Sequence, residues 1–152
     1  MYILVSPSKT QNPAAPDAVH FFTGEVFRQL DLQSYTQIEL DYLYKSLIIL
    51  SDKYGYILAS DKVKPHRPLL KSNKAKRLFP KVTKFLKSLD GPILNLSSLE
   101  YSRLISPKLK VTHITFPKQP SVYIKKARGK ILHYCIKNNI TTTDSIDFAT
   151  LI

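Results

Sequence analysis

Residues 121–139 read SVYIKKARGKILHYCIKNN, and the fold reading turns on where the helix in this stretch begins. Val122-Tyr123-Ile124 is a short apolar run rich in β-formers, so 121–124 reads as a strand, and KILHYCIKNN reads as the helix that follows it. On that reading Lys125, Lys126 and Arg128 stand at the start of a helix, beside the positive end of its dipole, where acids are favoured over bases. Lys125 and Arg128, three apart on one face, repel by roughly 0.2–0.5 kcal/mol. Gly129 costs a helix interior about 1 kcal/mol relative to alanine. Two explanations stand side by side. Free N–H groups, clustered cations and a glycine that admits close approach make a phosphate-sized anion site. Alternatively, the lysines are solvated and Gly129 packs against a neighbouring element.

Outward from that stretch the same alternation repeats. MYILVS at the N-terminus, LIIL at 47–50, PILNLS at 92–97 and KVTHITF at 110–116 read as further strands. TQIELDYLYKSL carries Thr36 and Glu39 in the T-x-x-E spacing of a capping box, which starts a helix. Leu78, Val82, Phe85 and Leu89 share one face of a helix in AKRLFPKVTKFLKSLDG, started or kinked at Pro80. SLEYSRLI reads as a short helix, SDKYGYILASDKVKPHRP as a polar loop, and TTTDSIDF as a capped final turn. Strands interspersed with helices give an α/β fold: a single domain over 1–152, with a mixed sheet flanked by helices.

The net charge is +12 and unevenly placed. Residues 1–61 sum to −3 and residues 62–152 to +15; no acid interrupts the ten cations between Asp61 and Asp90, or the nine between Glu100 and Asp144. The asymmetry points toward an anionic partner, nucleic acid before an acidic membrane surface; the alternative is that the excess of lysine only keeps the protein in solution. No apolar run approaches the roughly 20 residues that span a bilayer, and Met1 leads into YILVS with no basic stretch or cleavage site of a secretory signal. The lone Cys135 suits a reducing cytosol and lies on an apolar helix face, as a buried thiol does.

Catalytic and cofactor signatures are sparse. His20, His66, His113 and His133 pair with nothing at metal-ligand spacing, so no metal site and no cofactor is expected. The phosphate-binding glycine patterns and the serine-hydrolase elbow are missing; the chain has four glycines. What remains is a set of polar residues after the strands: Ser6, Ser8, Lys9 and Thr10; Asp61, Lys64, His66 and Arg67; Asn95, Ser97, Ser98, Glu100 and Tyr101; and Lys125, Lys126 and Arg128. Ligands of open α/β sheets bind outside strand carboxyl ends. If these ends converge they form a basic cleft holding the carboxylate of Glu100 among several cations; otherwise they are ordinary polar loops.

The blocks ILVSPSKT, FTGEVF, LSDKYGYILASDKVKPHR, ILNLSSLEY and YIKKARGKILHYCIKNNI, taken in order, resemble the YaaA family of bacterial cytoplasmic proteins associated with peroxide stress. The matching positions are Ser6, Lys9, Thr10 and Gly24, then Tyr54, Gly55, Asp61, Pro65 and Arg67. Asn95, Ser98, Glu100 and Tyr101 match in the next block, and Lys125, Lys126, Ala127, Arg128 and Gly129 in the last. The resemblance implies an α/β body with a positively charged cleft, a helix-hairpin-helix element, DNA binding, and a role in limiting the iron that turns peroxide against DNA. Family members are longer, and the helical segment expected between SPSKT and FTGE is reduced here to QNPAAPDAVHF, the region to which the hairpin is assigned. His66 stands where a Tyr is usual.

Two functional readings follow. In the first, cations from 62–87 and 123–130 contact DNA phosphates, and Tyr54, Tyr56 and Tyr101 either stack on unpaired bases or pack half-buried. In the second, Glu100 is the general acid or base of an enzyme acting on a nucleotide or other small phosphorylated anion, clamped by Lys9, Arg67, Lys126 and Arg128. An ion pair of Glu100 with Arg67 or Arg128 accounts for that carboxylate equally well. The oligomeric state has no signature in the sequence.

Overall fold

The computed structural model describes residues 1–151. Five strands, β1 (Tyr2–Val5), β2 (Leu47–Ser51), β3 (Gly55–Leu58), β4 (Ile93–Asn95) and β5 (Thr112–His113), form one sheet in the order β3-β2-β1-β4-β5. β1 pairs in parallel with both β2 and β4, β4 in parallel with β5, and β3 closes one edge antiparallel to β2. The fold is therefore α/β with a mixed sheet.

Period-two alternation sends successive side chains to opposite layers. Ile3, Val5, Leu47 and Ile49 face the helices α1 (Ala18–Phe21), α2 (Glu25–Arg28), α3 (Gln37–Ser46) and α6 (Ser121–Lys137), whose Phe21, Leu43, Leu132 and Cys135 complete that core. Leu4, Ile48 and Leu50 face α4 (Ser72–Lys87) and α5 (Leu99–Ser102), against Leu78, Val82 and Leu104. A strand covered on both faces has no polar side, which is why LIILS is buried throughout. The short α7 (Phe148–Leu151) follows a 3₁₀ turn, Thr143–Ser145, where a capped final turn was expected.

The capping box forms as its spacing predicts: Thr36 Oγ1 accepts from Glu39 N at 3.2 Å, and Glu39 Oε1 accepts from Thr36 N at 2.9 Å. Three expectations need correction. GYIL, read as loop, is the edge strand β3. Ser51 Oγ accepts from the N–H groups of Lys53 and Tyr54 (3.1 and 3.0 Å), and Gly55, at φ 82°, turns the chain back along β2. Helix α4 starts at Ser72, so the exposed Pro80 lies inside it and does not start it.

The largest correction concerns residues 121–124, which are the first turn of α6 and not a strand. Pro120 is its cap, and its carbonyl accepts from Tyr123 N (3.0 Å) and Ile124 N (3.4 Å). Val122 and Tyr123 are exposed, so the apolar triplet fills no sheet position. An apolar run this short carries no period of its own. Lys125 and Arg128 consequently sit beyond the first turn, clear of the free N–H groups that an anion site at a helix start requires.

Candidate functional site

Strand order reverses at β1: the chain leaves it toward β2 on one side, and β4 returns on the other. At such a switch point the connections diverge and leave a crevice outside the strand carboxyl ends. Here a cleft of about 510 Å³ lies at that place. Ser6, Ser8, Lys9 and Thr10 line it from the end of β1, and Leu96, Ser98, Glu100 and Tyr101 from the end of β4. Gly24, Glu25 and Arg28 enter from α2, Lys125 and Arg128 from α6, and Pro68 from the long loop after β3.

Side-chain hydroxyls knit these segments together. Ser6 Oγ accepts from Ser98 N at 2.8 Å and donates to Ser98 Oγ at 3.1 Å, joining the two diverging strand ends. Ser98 caps α5, accepting from Tyr101 N at 3.4 Å. Ser8 Oγ donates to the Thr10 carbonyl (2.6 Å) and accepts from Gly24 N (3.2 Å). A Cβ on Gly24 would lie 2.6 Å from Ser8 Cβ, so the β1 loop and the start of α2 meet in a way that only glycine allows.

The charges of the cleft are not all available. Arg28 is taken by Glu25 (Nη1 to Oε1, 2.9 Å) and by the Thr23 carbonyl (3.2 Å). Among the described residues, Lys9, Lys125 and Arg128 have no carboxylate within 4.0 Å. Arg128 is half-buried, its Nε is buried without a hydrogen-bond partner, and its guanidinium lies 5.5 Å from the centre of the Phe116 ring. Burial lowers its pKa, although a guanidinium remains charged at neutral pH. A half-buried cation with a buried, unpartnered donor is a costly arrangement. Glu100 is exposed, and among the described residues its carboxylate has no cation within 4.0 Å, so the ion pair with Arg67 or Arg128 does not form.

Of the residues singled out from sequence, Ser6, Lys9, Thr10, Ser98, Glu100, Tyr101, Lys125 and Arg128 come together in this cleft. Others fall elsewhere. Arg67 is exposed outside the lining, which its neighbour Pro68 joins instead. Asn95 is buried: its amide nitrogen donates to Ser102 Oγ (2.9 Å) and lies 2.9 Å from His113 Nδ1, and its oxygen accepts from the N–H and Oγ of Ser97 (3.0 and 2.6 Å). Lys126 borders a different groove with Tyr123 and Lys130. Gly129 is buried where α6 meets α2; a Cβ there would lie 2.5 Å from Gln29 Cγ and 2.6 Å from the Val26 carbonyl oxygen. The glycine serves helix packing.

Sequence reading missed the contribution of Glu25 and Arg28, for which the FTGEVF block was the available signal. It also missed Asp52, just past β2 and 2% exposed. The Asp52 carboxylate accepts from Tyr101 Oη at 3.5 Å and has His66 Nε2 and Lys74 Nζ each at 3.7 Å. Burial, and then the Asp52 charge, push the Tyr101 hydroxyl well above its ordinary pKa. Tyr101 therefore gives the cleft its ring while its hydroxyl is tied up behind. Tyr56 stacks on Phe85 at 3.8 Å, and Tyr54 is half-buried, edge-on to His66. All three tyrosines thus serve packing. Among the described residues, no three His, Cys, Asp or Glu side chains gather as a metal site, and no helix is long and apolar enough to cross a membrane.

This is an open α/β protein with a cation-bearing crevice at the switch point of its sheet. Residues 8–150 match the family of the peroxide stress protein YaaA, and the chain belongs to that family. It is 34% identical over 145 residues to a UPF0246 protein of Fusobacterium nucleatum, covering 85% of this chain and 58% of the relative. A UPF0246 protein of Pseudoalteromonas translucida is 32% identical over 158 residues, covering 89% of this chain and 60% of its own length. The chain thus spans less than two thirds of these relatives.

Proposed function

We propose that this protein binds DNA in the crevice, with Lys9, Lys125 and Arg128 on phosphates, and that it thereby helps limit iron-dependent oxidative damage in the bacterial cytoplasm. One observation carries the reading: three cations free of carboxylate partners among the described residues line one cleft, and one of them is half-buried with a buried, unpartnered Nε. Phosphate contacts of this kind position a nucleic acid without reading its sequence. The peroxide role rests on family membership.

The test is fluorescence anisotropy with labelled single-stranded and duplex DNA over a salt series. Three phosphate contacts give a log–log slope of roughly −2.7 on duplex, and Lys125→Ala/Arg128→Ala lowers its magnitude by roughly 1.8. No binding at low salt, or equal binding by the double variant, overturns the reading.

The unpaired Glu100 favours a second reading, an enzyme acting on a small phosphorylated ligand in the same cleft. If Glu100 is its acid or base, Glu100→Gln abolishes turnover and leaves affinity nearly unchanged. If Glu100 only repels phosphate, the substitution tightens binding.

A further inference from the structure

A second depression lies along another face of α6. This groove of about 220 Å³ is lined by Phe116, Tyr123, Lys126, Ala127 and Lys130 among others. Tyr123, Lys126, Ala127 and Lys130 follow the i, i+3, i+4, i+7 spacing of one helix face. Tyr123 is 58% exposed and, among the described residues, its side chain has no hydrogen-bond or ring partner, in contrast to the packed Tyr54, Tyr56 and Tyr101. Lys126 and Lys130 are exposed with no carboxylate within 4.0 Å among the described residues. Ala127 keeps the floor between them low. Phe116 joins the two sites: its ring lines the groove while the Arg128 guanidinium, a crevice group, lies over it.

An open aromatic ring flanked by unpaired cations matches the stacked bases and anionic backbone of a single strand, since every base has a π-face. The walls carry positive charge and no acid, which selects a polyanion. A paired duplex offers no unstacked base to Tyr123. We propose that this groove is a stacking site for one unpaired base, with Lys126 and Lys130 on the adjoining phosphates. Crevice and groove then form one track for single-stranded nucleic acid, crossing at Phe116 and Arg128. The inference rests on the DNA reading of the crevice.

The experiment measures the affinity of an oligothymidylate and of a duplex at one salt concentration, for the wild type, Tyr123→Ala and Tyr123→Phe. Circular dichroism of each variant checks that it folds; Tyr123 is exposed, so neither change disturbs the core. Tyr123→Ala is expected to weaken single-strand binding on the order of 5- to 150-fold, with duplex binding unchanged and Tyr123→Phe close to wild type. A strand carrying 2-aminopurine is expected to lose fluorescence on the wild type and to keep it on Tyr123→Ala. Unchanged single-strand affinity in Tyr123→Ala overturns the groove alone and leaves the crevice reading intact. A wild type that binds neither DNA overturns both.

Discussion

Replacing Gly129 by alanine separates two explanations for that residue by the sign of a stability change. In an exposed helix the substitution stabilises by about 1 kcal/mol, because alanine is the better helix former. Here the new Cβ meets Gln29 Cγ at 2.5 Å, Gln29 Cβ at 2.7 Å and the Val26 carbonyl oxygen at 2.6 Å. The glutamine can swing aside; the carbonyl is backbone. Restoring ordinary contact, which begins at 3.4 Å, moves α6 about 0.8 Å from α2 along that vector. Overpacking of this kind costs about 1–3 kcal/mol, so the net expectation is a loss of up to about 2 kcal/mol. Urea unfolding followed by circular dichroism reads it as a lower midpoint at unchanged slope. The same displacement shifts Lys125 and Arg128 relative to Arg28 and Gly24, so the proposed DNA binding weakens as well. A variant more stable than wild type by about 1 kcal/mol, the value for an open helix position, with only ligand binding impaired, would refute the packing argument and restore Gly129 to a place where a ligand approaches.

Arg128→Met keeps the aliphatic length but removes the buried, unpartnered Nε; the variant gains on the order of 1 kcal/mol in urea unfolding and loses DNA affinity in the same preparation. Asn95→Ala strips partners from Ser97, Ser102 and His113 and costs about 1–3 kcal/mol. The salt slope of the proposed DNA binding stays at the wild-type value, since the side chain does not line the cleft. Burial pushes the Cys135 thiol up to about 12, so a thiol-specific reagent at pH 8 leaves the native protein untouched and reacts once urea is added. Because the folded value exceeds the unfolded one of roughly 8.5, the thiol's contribution is complete below that pH and is lost as pH rises toward the folded value. Cys135→Ala flattens the alkaline fall in stability measured by urea titration across this window.

The fold was legible where local signals agree with tertiary demand. MYILV, LIIL and ILN are apolar runs between breakers, and the double-sided burial of a central strand needs nothing more. Thr36 and Glu39 marked a helix start because a capping box is satisfied within four residues. VYI and GYIL escaped for opposite reasons. The first is too short to show a period and belongs to a helix started at Pro120. The second is made a strand by pairing with β2 across the Gly55 turn, a contact its own residues do not announce. Asp52 was passed over because a carboxylate beside a lysine in a Tyr- and Gly-bearing turn reads as solvated, whereas α4 and α5 bury it beside Lys74 and Tyr101.

By itself the sequence determined the α/β class, the concentration of positive charge after residue 61, the gathering of polar residues at strand ends, and the family. The tertiary structure decided how KKARG is divided. Successive helix residues point about 100° apart, so one helix sends Lys125 and Arg128 into the crevice, Lys126 into the groove, and Gly129 against α2. Neighbours in a five-residue word serve three surfaces, because it is the phase of α6, set by the docking of Gly129, Leu132, Cys135 and Ile136 into the core, that fixes where each side chain points.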